Sequence, residues 1–418
     1  MNFIGNKMVK ASQNPESSKL FSFLDQAFLV SLCLLWAGVS FSLALVSIGT
    51  VLTLLFWGAR MYFQKQGCSA FKTMPRELKF SLGIFLALSL ASVFWSEFPK
   101  QSVQGIFKII RWTLIMFATA DGLSDTKHRR HFLIVLISWH TIIILNGLYQ
   151  YGFHTDLLRH IAAEDSESGI RVTSSFKVYG LFAAYLLLVI PVLVGIFIRF
   201  LKKFPYNLVA LVILLLSGFM LYVTRCRGAM LAFLLGTFIF LILKRQLKVM
   251  GFLVFFSAVG LFLLPSSMKI HYDKERKEQS LVERHDLWER ALDVIRAKPL
   301  LGTGINTYAV AHQKYDRNKS WRVQNYYAHN GYLQMAAETG IPCALFFLAF
   351  LSLLLKYVLR GASYSTDSFY VGWGILNFML MALVDTILHN SVTIVAFYFF
   401  LGLGLSFLNS PSHTDQRT

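Results

Sequence analysis

The stretch "LFAAYLLLVIPVLVGIFI", residues 181–198, decides the fold class because it runs for eighteen residues without a charged side chain. A helix of this length crosses the roughly 30 Å of hydrocarbon in a bilayer. In lipid, the backbone must satisfy its own hydrogen bonds within the segment, and a β-barrel would instead show short alternating segments. The stretch therefore predicts a membrane-spanning helix, and similar apolar runs recur from Phe21 to Leu408.

The composition of the whole chain agrees with this prediction. Of the 418 residues, 55% are hydrophobic and 15% are charged, a balance typical of membrane proteins and not of soluble domains. The net charge of +18 lies mainly in the loops, so we predict no nucleic-acid partner. The polar N-terminal twenty residues contain no short apolar core before a cleavage site, so we predict no removable signal peptide.

The apolar runs predict an all-α polytopic membrane protein with about twelve transmembrane helices. A single domain is expected over residues 21–408, with cytoplasmic tails at 1–20 and 409–418. The predicted spans are 21–38, 41–59, 80–96, 102–120, 131–153, 175–198, 206–223, 228–243, 247–265, 341–358, 367–387 and 390–408.

Basic residues mark every second loop between these spans. They follow the second, fourth, sixth, eighth and tenth spans, and this pattern predicts that those loops and both tails are cytoplasmic. On the opposite, outer face two loops are long, 154–174 and 266–328. Within the second, "SLVERHDLWERALDVIRAKPLLGTG" (280–304) has apolar residues at helical spacing, and Pro299 and the following glycines should end that helix. We thus expect a long helical periplasmic loop between the ninth and tenth spans.

Polar residues that suit a functional site cluster at the predicted outer face. Arg225 and Arg227 occur in "VTRCRGAML" (223–231). Two alternatives stay open for them: a place in a functional site, or extension of their side chains to the lipid headgroups. Arg284 begins the loop helix, and neighbouring loop arginines such as Arg290 are predicted to be solvated or paired with carboxylates. His329 has an interfacial or capping role as its alternative. The remaining candidates at this face are Arg171, Lys177, Asp385, His389 and Asn390.

Lys108 and Arg111 are unusual because they lie within the fourth predicted span, on one helical face. Each intramembrane cation costs at least about 2.5 kcal/mol unless it is compensated. We predict an anionic lipid or a structural partner for them. The alternative is a buried carboxylate, for which the spans offer Asp25, Asp121 and Asp385.

Several common sites are not predicted. The four cysteines form no C-x-x-C, so neither a disulfide framework nor a zinc site is expected. The segment "PLLGTGINTY" (299–308) lacks the Lys-Ser/Thr of a P-loop and is predicted to be a turn. No D-x-D occurs, so we predict no metal and no cofactor. A diphosphate bound at the outer face would be neutralised by arginine, whose planar fork matches phosphate oxygens.

Three stretches give the chain a resemblance to the O-antigen ligase and polymerase superfamily, closest to the lipopolysaccharide O-antigen ligases. These are "TRCRGAML" (224–231), "ERHDLWERALDVIRAKPLLGTGINTY" (283–308) and "AHNGYLQMAAETGIPC" (328–343), together with about twelve helices and one long outer loop. The resemblance implies transfer of a polysaccharide from undecaprenyl diphosphate to the lipid A-core oligosaccharide. The reaction would be metal-independent and inverting, at the periplasmic face of the inner membrane.

By the same resemblance, Arg227, Arg284 and His329 are the predicted catalytic residues. Arg227 and Arg284 would hold the donor diphosphate, and His329 would accept the proton of the attacking hydroxyl. We predict that the substrate-binding residues are Arg225, Asn330, Arg171, Lys177 and Tyr327.

Three other functions compete with the ligase prediction. An O-antigen polymerase differs by its acceptor and is the second choice, and a protein O-oligosaccharyltransferase would use a Ser or Thr of a protein. A lipid or glycan transporter is an alternative of a different class. We see no repeated halves of the kind that transporters often show, and the polar cluster lies on one side only.

Overall fold

A computed structural model describes residues 15–64, 67–164, 169–246, 274–315, 327–360 and 366–408. This part of the chain is helical, with no strand beyond two isolated bridges, Thr155 with Ala162 and Glu164 with Arg171. The helices are α1 (Pro15–Phe41), α2 (Leu43–Gln64), α3 (Ser69–Thr73), α4 (Arg76–Ala91), α5 (Pro99–Gly122), α6 (Thr126–Phe153), α7 (Tyr179–Phe200), α8 (Tyr206–Val223), α9 (Arg227–Leu243), α10 (Lys274–Ala297), α11 (Tyr308–Tyr315), α12 (Gly331–Thr339), α13 (Ile341–Arg360), α14 (Thr366–Met381) and α15 (Thr393–Ser406).

Seven of the described helices are long and apolar enough to cross a membrane: α1, α2, α5, α6, α7, α8 and α13. The prediction of an all-helical, multi-pass membrane protein is therefore confirmed. Helices α9 and α15 are apolar but shorter. The predicted ninth span, 247–265, lies outside the described residues, so the number of twelve stays a prediction.

The last two predicted spans end differently in the structure. Residues 367–387 were predicted to be one span, but α14 ends at Met381, and residues 382–392 form a non-helical turn before α15. Polar side chains of the turn bond to its own backbone: the Asp385 carboxylate accepts from Thr386 N at 2.7 Å, and Asn390 Oδ1 accepts from Val392 N at 2.9 Å. Such local bonds compete with the helical ladder and stop it.

Helix α7 lies at the centre of the bundle. Its residues are mostly buried, and it packs against α14 on one side and α8 on the other. Helix α15 packs along α5, and Trp36 of α1 stacks on Phe399 and Phe400 at ring distances of 5.4 and 5.5 Å. Large aromatic side chains fill this centre. The helices α9 and α15, which are shorter than a full membrane span, are held in the bundle by contacts with neighbouring helices.

Two sets of polar contacts between helices lie at opposite ends of the bundle. One end has an ion pair between Arg60 and Asp25 at 2.9 Å, and Asp121 accepts hydrogen bonds from Trp57, Ser69 and Ala70. These contacts join the predicted cytoplasmic ends of the spans, and we call this end the inner end.

The other set contains the contacts of His329, Lys108 and the segment 299–308, and we call this end the outer end. Helix α10 is part of the outer end. Its buried face consists of Leu287, Ala291, Val294 and Ile295, which agrees with the predicted helical spacing. The helix ends at Ala297, just before Pro299, as predicted.

Candidate functional site

His329 is held at the outer end of the bundle by the start of α12. Asn330 caps this helix, because its side-chain oxygen accepts from the backbone N–H groups of Tyr332 and Leu333 at 3.1 and 3.0 Å. Trp288 of α10 donates its indole N–H to the backbone carbonyl of His329 at 3.4 Å. His329 itself has a positive φ of 46°. The backbone of His329 is therefore fixed from two sides while its imidazole stays about one-third exposed.

The imidazole of His329 faces a carboxylate. Its Nδ1 lies 3.5 Å from Oδ1 of Asp385, which comes from the turn between α14 and α15. The Asp385 side chain is exposed to a similar extent, 31%. A carboxylate at this position can orient the ring and stabilise the imidazolium that forms after proton uptake. Asp385 is thus part of the site, although the sequence alone assigned it no catalytic or substrate-binding role.

Charged residues from three further segments approach Cys226, the residue between Arg225 and Arg227. Burial raises the pKa of the Cys226 thiol to about 11, and the negative charge of Asp385 adds to this rise, whereas the cations Arg284 and Arg171 oppose it. Arg284, Arg171 and Asp385 therefore all lie within electrostatic range of Cys226. Two of the predicted cations are thus in the same region of the bundle as the carboxylate that faces His329.

Arg171 enters this region on a short extended segment. Its backbone pairs with Glu164 in both directions, at 2.9 and 3.1 Å, and its guanidinium carbon lies 4.7 Å from the centre of the Tyr179 ring. Burial raises the pKa of Glu164 and the positive charge of Arg171 opposes that rise. The Arg171 guanidinium is therefore directed by a cation–π contact with Tyr179.

The two arginines of "TRCRG" occupy a tight turn between α8 and α9. Arg225 has a φ of 51° and donates from Nε to the carbonyl of Ile170 at 3.4 Å, which ties the turn to the segment that carries Arg171. Arg227 is the first residue of α9, and its side chain is exposed. At a helix N-terminus, unpaired N–H groups add to the attraction of this position for an anion.

Other predicted residues are less closely connected to this group. Lys177 and Tyr327 are exposed, and among the described residues neither is hydrogen-bonded or ion-paired to His329. The side-chain oxygen of Asn330 caps α12, and its predicted contact with substrate stays a prediction. Arg290 was predicted to be solvated or paired with a carboxylate; the first alternative is wrong, because the residue is 5% exposed, and the second stays a prediction.

Sequence reasoning also missed Glu338, the carboxylate in "AAETG". This residue is 2% exposed and accepts hydrogen bonds from the backbone N–H groups of Asn306 at 2.7 Å and Tyr308 at 3.2 Å. Its Oε2 lies 3.8 Å from Nε2 of His389. A single acidic residue inside an apolar helix was the available signal, because buried carboxylates require partners.

One cluster among the described residues has the composition of a metal site. Potential ligand atoms of His285, Asp286 and Glu289 lie within 4.8 Å of one another on α10. The His285 side chain is 69% exposed, and its contacts with the two carboxylates, at 4.0 and 3.8 Å, account for the grouping without a metal. We therefore assign no metal to it.

The fold and the site together define a class: a multi-pass, all-helical membrane protein with a histidine–carboxylate pair and several arginines at one end of its bundle. Residues 212–348 match the model of a family described as O-antigen ligase, which confirms for this segment the resemblance found in the sequence. The three motifs at 224–231, 283–308 and 328–343 all fall within it. The match supports glycosyl transfer of the O-antigen ligase and polymerase type as the general activity. A comparison with curated proteins found no match.

Proposed function

We propose that the protein is an O-antigen ligase that transfers a polysaccharide from undecaprenyl diphosphate to the lipid A-core oligosaccharide. The proposal places it in the bacterial inner membrane with its site at the periplasmic face. The observation that supports it best is the distance of 3.5 Å between His329 Nδ1 and Asp385 Oδ1, at the same end of the bundle as the turn of Arg225 and Arg227, which is hydrogen-bonded to the segment of Arg171. Cations for a diphosphate and a base for a hydroxyl are the two requirements of this transfer.

In the proposed reaction, a hydroxyl of the acceptor sugar attacks the anomeric carbon of the donor. The bond from that carbon to the diphosphate oxygen breaks, and the diphosphate leaves with the electron pair. Arg227 and Arg284, with Arg225 and Arg171 near them, stabilise the charge on the leaving group through bidentate hydrogen bonds. Arginine supplies the positive charge that a metal ion supplies in other transferases, so the proposed reaction needs none.

The proton of the attacking hydroxyl passes to His329 in this mechanism. General base catalysis of this kind contributes about 10²- to 10⁴-fold in rate. Asp385 acts on the ring from 3.5 Å and so is a positioning residue, not a proton acceptor. Attack from the face opposite the leaving diphosphate inverts the configuration of the anomeric carbon.

The direct test is transfer by purified protein supplied with undecaprenyl-diphosphate-linked polysaccharide and lipid A-core. His329→Ala is expected to abolish joining while the protein remains folded and inserted. His285→Ala is the matched control, because this exposed histidine of α10 is not part of the proposed machinery, and its activity should stay near that of the parent. Full activity of His329→Ala would remove the imidazole from the reaction.

The acceptor separates the ligase from the polymerase proposal. In a strain that lacks this protein, loss of ligase leaves a core without polymer and polymer on its lipid carrier. Loss of a polymerase instead leaves a core with a single repeat unit. Transport is tested with liposomes: movement of the glycan across the bilayer without a new glycosidic bond would favour a transporter.

A further inference from the structure

Two cations lie within the spanning helix α5, away from the proposed catalytic site. Lys108 and Arg111 are one turn apart and half-buried. Arg111 follows Pro99 by twelve residues, so its Cα lies about 18 Å along the helix from its outer end, at a rise of 1.5 Å per residue. Side chains of a helix lean toward its N-terminus, and both cations therefore point toward the outer end.

Neither charge is balanced by a carboxylate among the described residues. Lys108 donates from Nζ to the neutral amide Oδ1 of Asn306 at 2.9 Å, and the amide in turn donates from Nδ2 to the carbonyl of Gln101 at 3.1 Å. For Arg111, Nε is buried without a hydrogen-bond partner in the described part of the chain. An intramembrane guanidinium in this condition requires an anion from elsewhere.

The carboxylates that the sequence suggested as partners are engaged at other places. Asp25 pairs with Arg60, and Asp121 accepts three hydrogen bonds at the inner end. Asp385 lies beside His329. The alternative of a buried carboxylate partner is therefore not supported, and a ligand is needed to supply the negative charge.

The two cations are reachable from the bilayer. They adjoin Phe107 and Ile110, which are 69% and 46% exposed on the outside of the bundle. The opposite face of α5 packs against α15, where Trp112 stacks on Tyr398 at 6.0 Å. Asn306 lies close above Gly105 and covers the cations from the outer end. In the part of the chain that the structure describes, the side of α5 that remains open is the one that carries Phe107 and Ile110.

We propose that Lys108 and Arg111 bind the phosphate of a membrane lipid that approaches α5 laterally. The guanidinium offers a planar fork of donors to phosphate oxygens, and the ammonium keeps two donors after its bond to Asn306. A lipid supplies this phosphate together with tails that lie against Phe107 and Ile110. The inference stands apart from the proposed reaction, because it depends on the charges of α5 and not on His329.

The phosphate has two possible sources, a glycerophospholipid or a polyprenyl diphosphate. We would measure the binding of phosphatidylglycerol and undecaprenyl diphosphate to purified protein by native mass spectrometry, with diacylglycerol as the phosphate-free control. Tighter binding of phosphatidylglycerol would identify a structural lipid site, and tighter binding of undecaprenyl diphosphate a donor site. Binding of diacylglycerol as strong as that of both phosphate lipids would overturn the proposal.

Substitutions in α5 test whether the lipid phosphate binds at Lys108 and Arg111. Arg111→Leu should weaken binding of the preferred lipid by about tenfold or more, as expected for loss of a charge-assisted contact to phosphate. Lys100→Met is the matched control, since Lys100 is an exposed cation on the first turn of the same helix. Arg111→Gln gives a second measurement if the leucine variant does not fold, and unchanged lipid binding in the folded variant contradicts the inference.

Discussion

At the residue scale, several residues of the outer end adopt backbone conformations that only glycine accepts easily. Among the described residues, positive φ occurs outside glycine at His154, His160, Ser174, Arg225, Arg245, Asn306 and His329, and all except Arg245 belong to outer segments. Each such residue costs on the order of 1 kcal/mol or more, and such strain collects at functional sites. Arg225 and His329 are therefore kept in place despite a local penalty.

Replacing Arg225 with glycine should separate stability from activity. Glycine accepts a φ of 51° freely, and this relief offsets the lost hydrogen bond to Ile170, so Arg225→Gly should change the free energy of unfolding by no more than about 1 kcal/mol. Transfer activity should fall, because a cation beside the diphosphate is lost. Arg245→Gly is a matched control at the inner end, with a φ of 53° and no proposed role, and its activity should not change. Equal activity of the two variants would argue against a role for Arg225.

Asp385→Asn tests the positioning of His329. The amide keeps the shape of the side chain but removes the charge beside Nδ1, so kcat should fall while KM for the donor changes little. The decrease in kcat should be smaller than the rate enhancement of about 10²- to 10⁴-fold that a general base supplies. Kinetics of the variant over a range of pH provide the measurement. A loss confined to KM would assign Asp385 to substrate binding instead.

At the element scale, Glu338 connects α12 to the segment that precedes α11. Its carboxylate accepts from two backbone N–H groups of that segment, and the carbonyl of Glu338 accepts from Gly304 N at 2.8 Å. Gln334 donates to the same carboxylate at 3.3 Å. The C-terminal end of α12 is thus joined to residues 304–308 through one buried side chain.

Glu338→Gln should destabilise the protein. The amide has one acceptor oxygen where the carboxylate has two, so a buried N–H loses its partner, at a cost of about 1 to 3 kcal/mol. Thermal unfolding of the purified protein in detergent gives the measurement. Glu289→Gln, at a partly exposed position of α10, should change stability by less than about 0.5 kcal/mol. Similar unfolding temperatures for both variants would contradict the organising role of Glu338.

Glu97 makes the docking of α11 dependent on pH. Burial acts to raise the pKa of Glu97, but hydrogen bonds from Lys314 and Tyr315 and the charge of Lys298 outweigh it and hold the pKa below its usual 4.5. A lowered pKa in the folded state means that these contacts stabilise the protein fully above about pH 4.5 and are lost as the pH falls further.

Hydrogen exchange of residues 308–315, corrected for intrinsic rates, measures this effect. Protection should be high at neutral pH and should fall as the pH drops below 4.5. In Glu97→Gln, protection should already be low at neutral pH and should vary little with acidification. A parent protein whose protection does not change in acid would contradict the assignment.

The elements also show what sequence reasoning can and cannot supply. Apolar length and helical spacing predicted α7, α8 and the buried face of α10, because these properties are local. A turn between the last two spans was predicted, but its length of residues 382–392 was not, since the apolar run before Asp385 continues past the end of α14. The contact between Lys108 and Asn306 joins residues 198 positions apart, and no local pattern reports such a pair.

At the scale of the whole molecule, the two ends of the bundle differ in their chemistry. The outer end carries the contacts of His329, Lys108 and Glu97, and the inner end carries those of Arg60 and Asp121. The catalytic candidates Arg227, Arg284 and His329 were predicted from a resemblance at three motifs. Their spatial grouping needed the fold, because Arg171 and Asp385 lie outside the segment that matches the family.

The proposed orientation can be tested with single cysteines. Lys177 and Lys203 are both exposed, one at each end. In intact cells with a permeable outer membrane, Lys177→Cys should react with a membrane-impermeant maleimide, whereas Lys203→Cys should react only after lysis. The parent protein gives the background from its four native cysteines. The reverse pattern would place the proposed site in the cytoplasm.

The burial of α7 has a consequence for how the protein is made. It is the most apolar of the seven membrane-crossing helices, yet it is also the most enclosed by its neighbours. Its high hydropathy therefore matters mainly for insertion, when the nascent chain passes from the translocon into the bilayer. In the folded protein, most of this helix is covered by neighbouring helices and not by acyl chains. A polar replacement there would harm biogenesis and yield before it altered the mature enzyme.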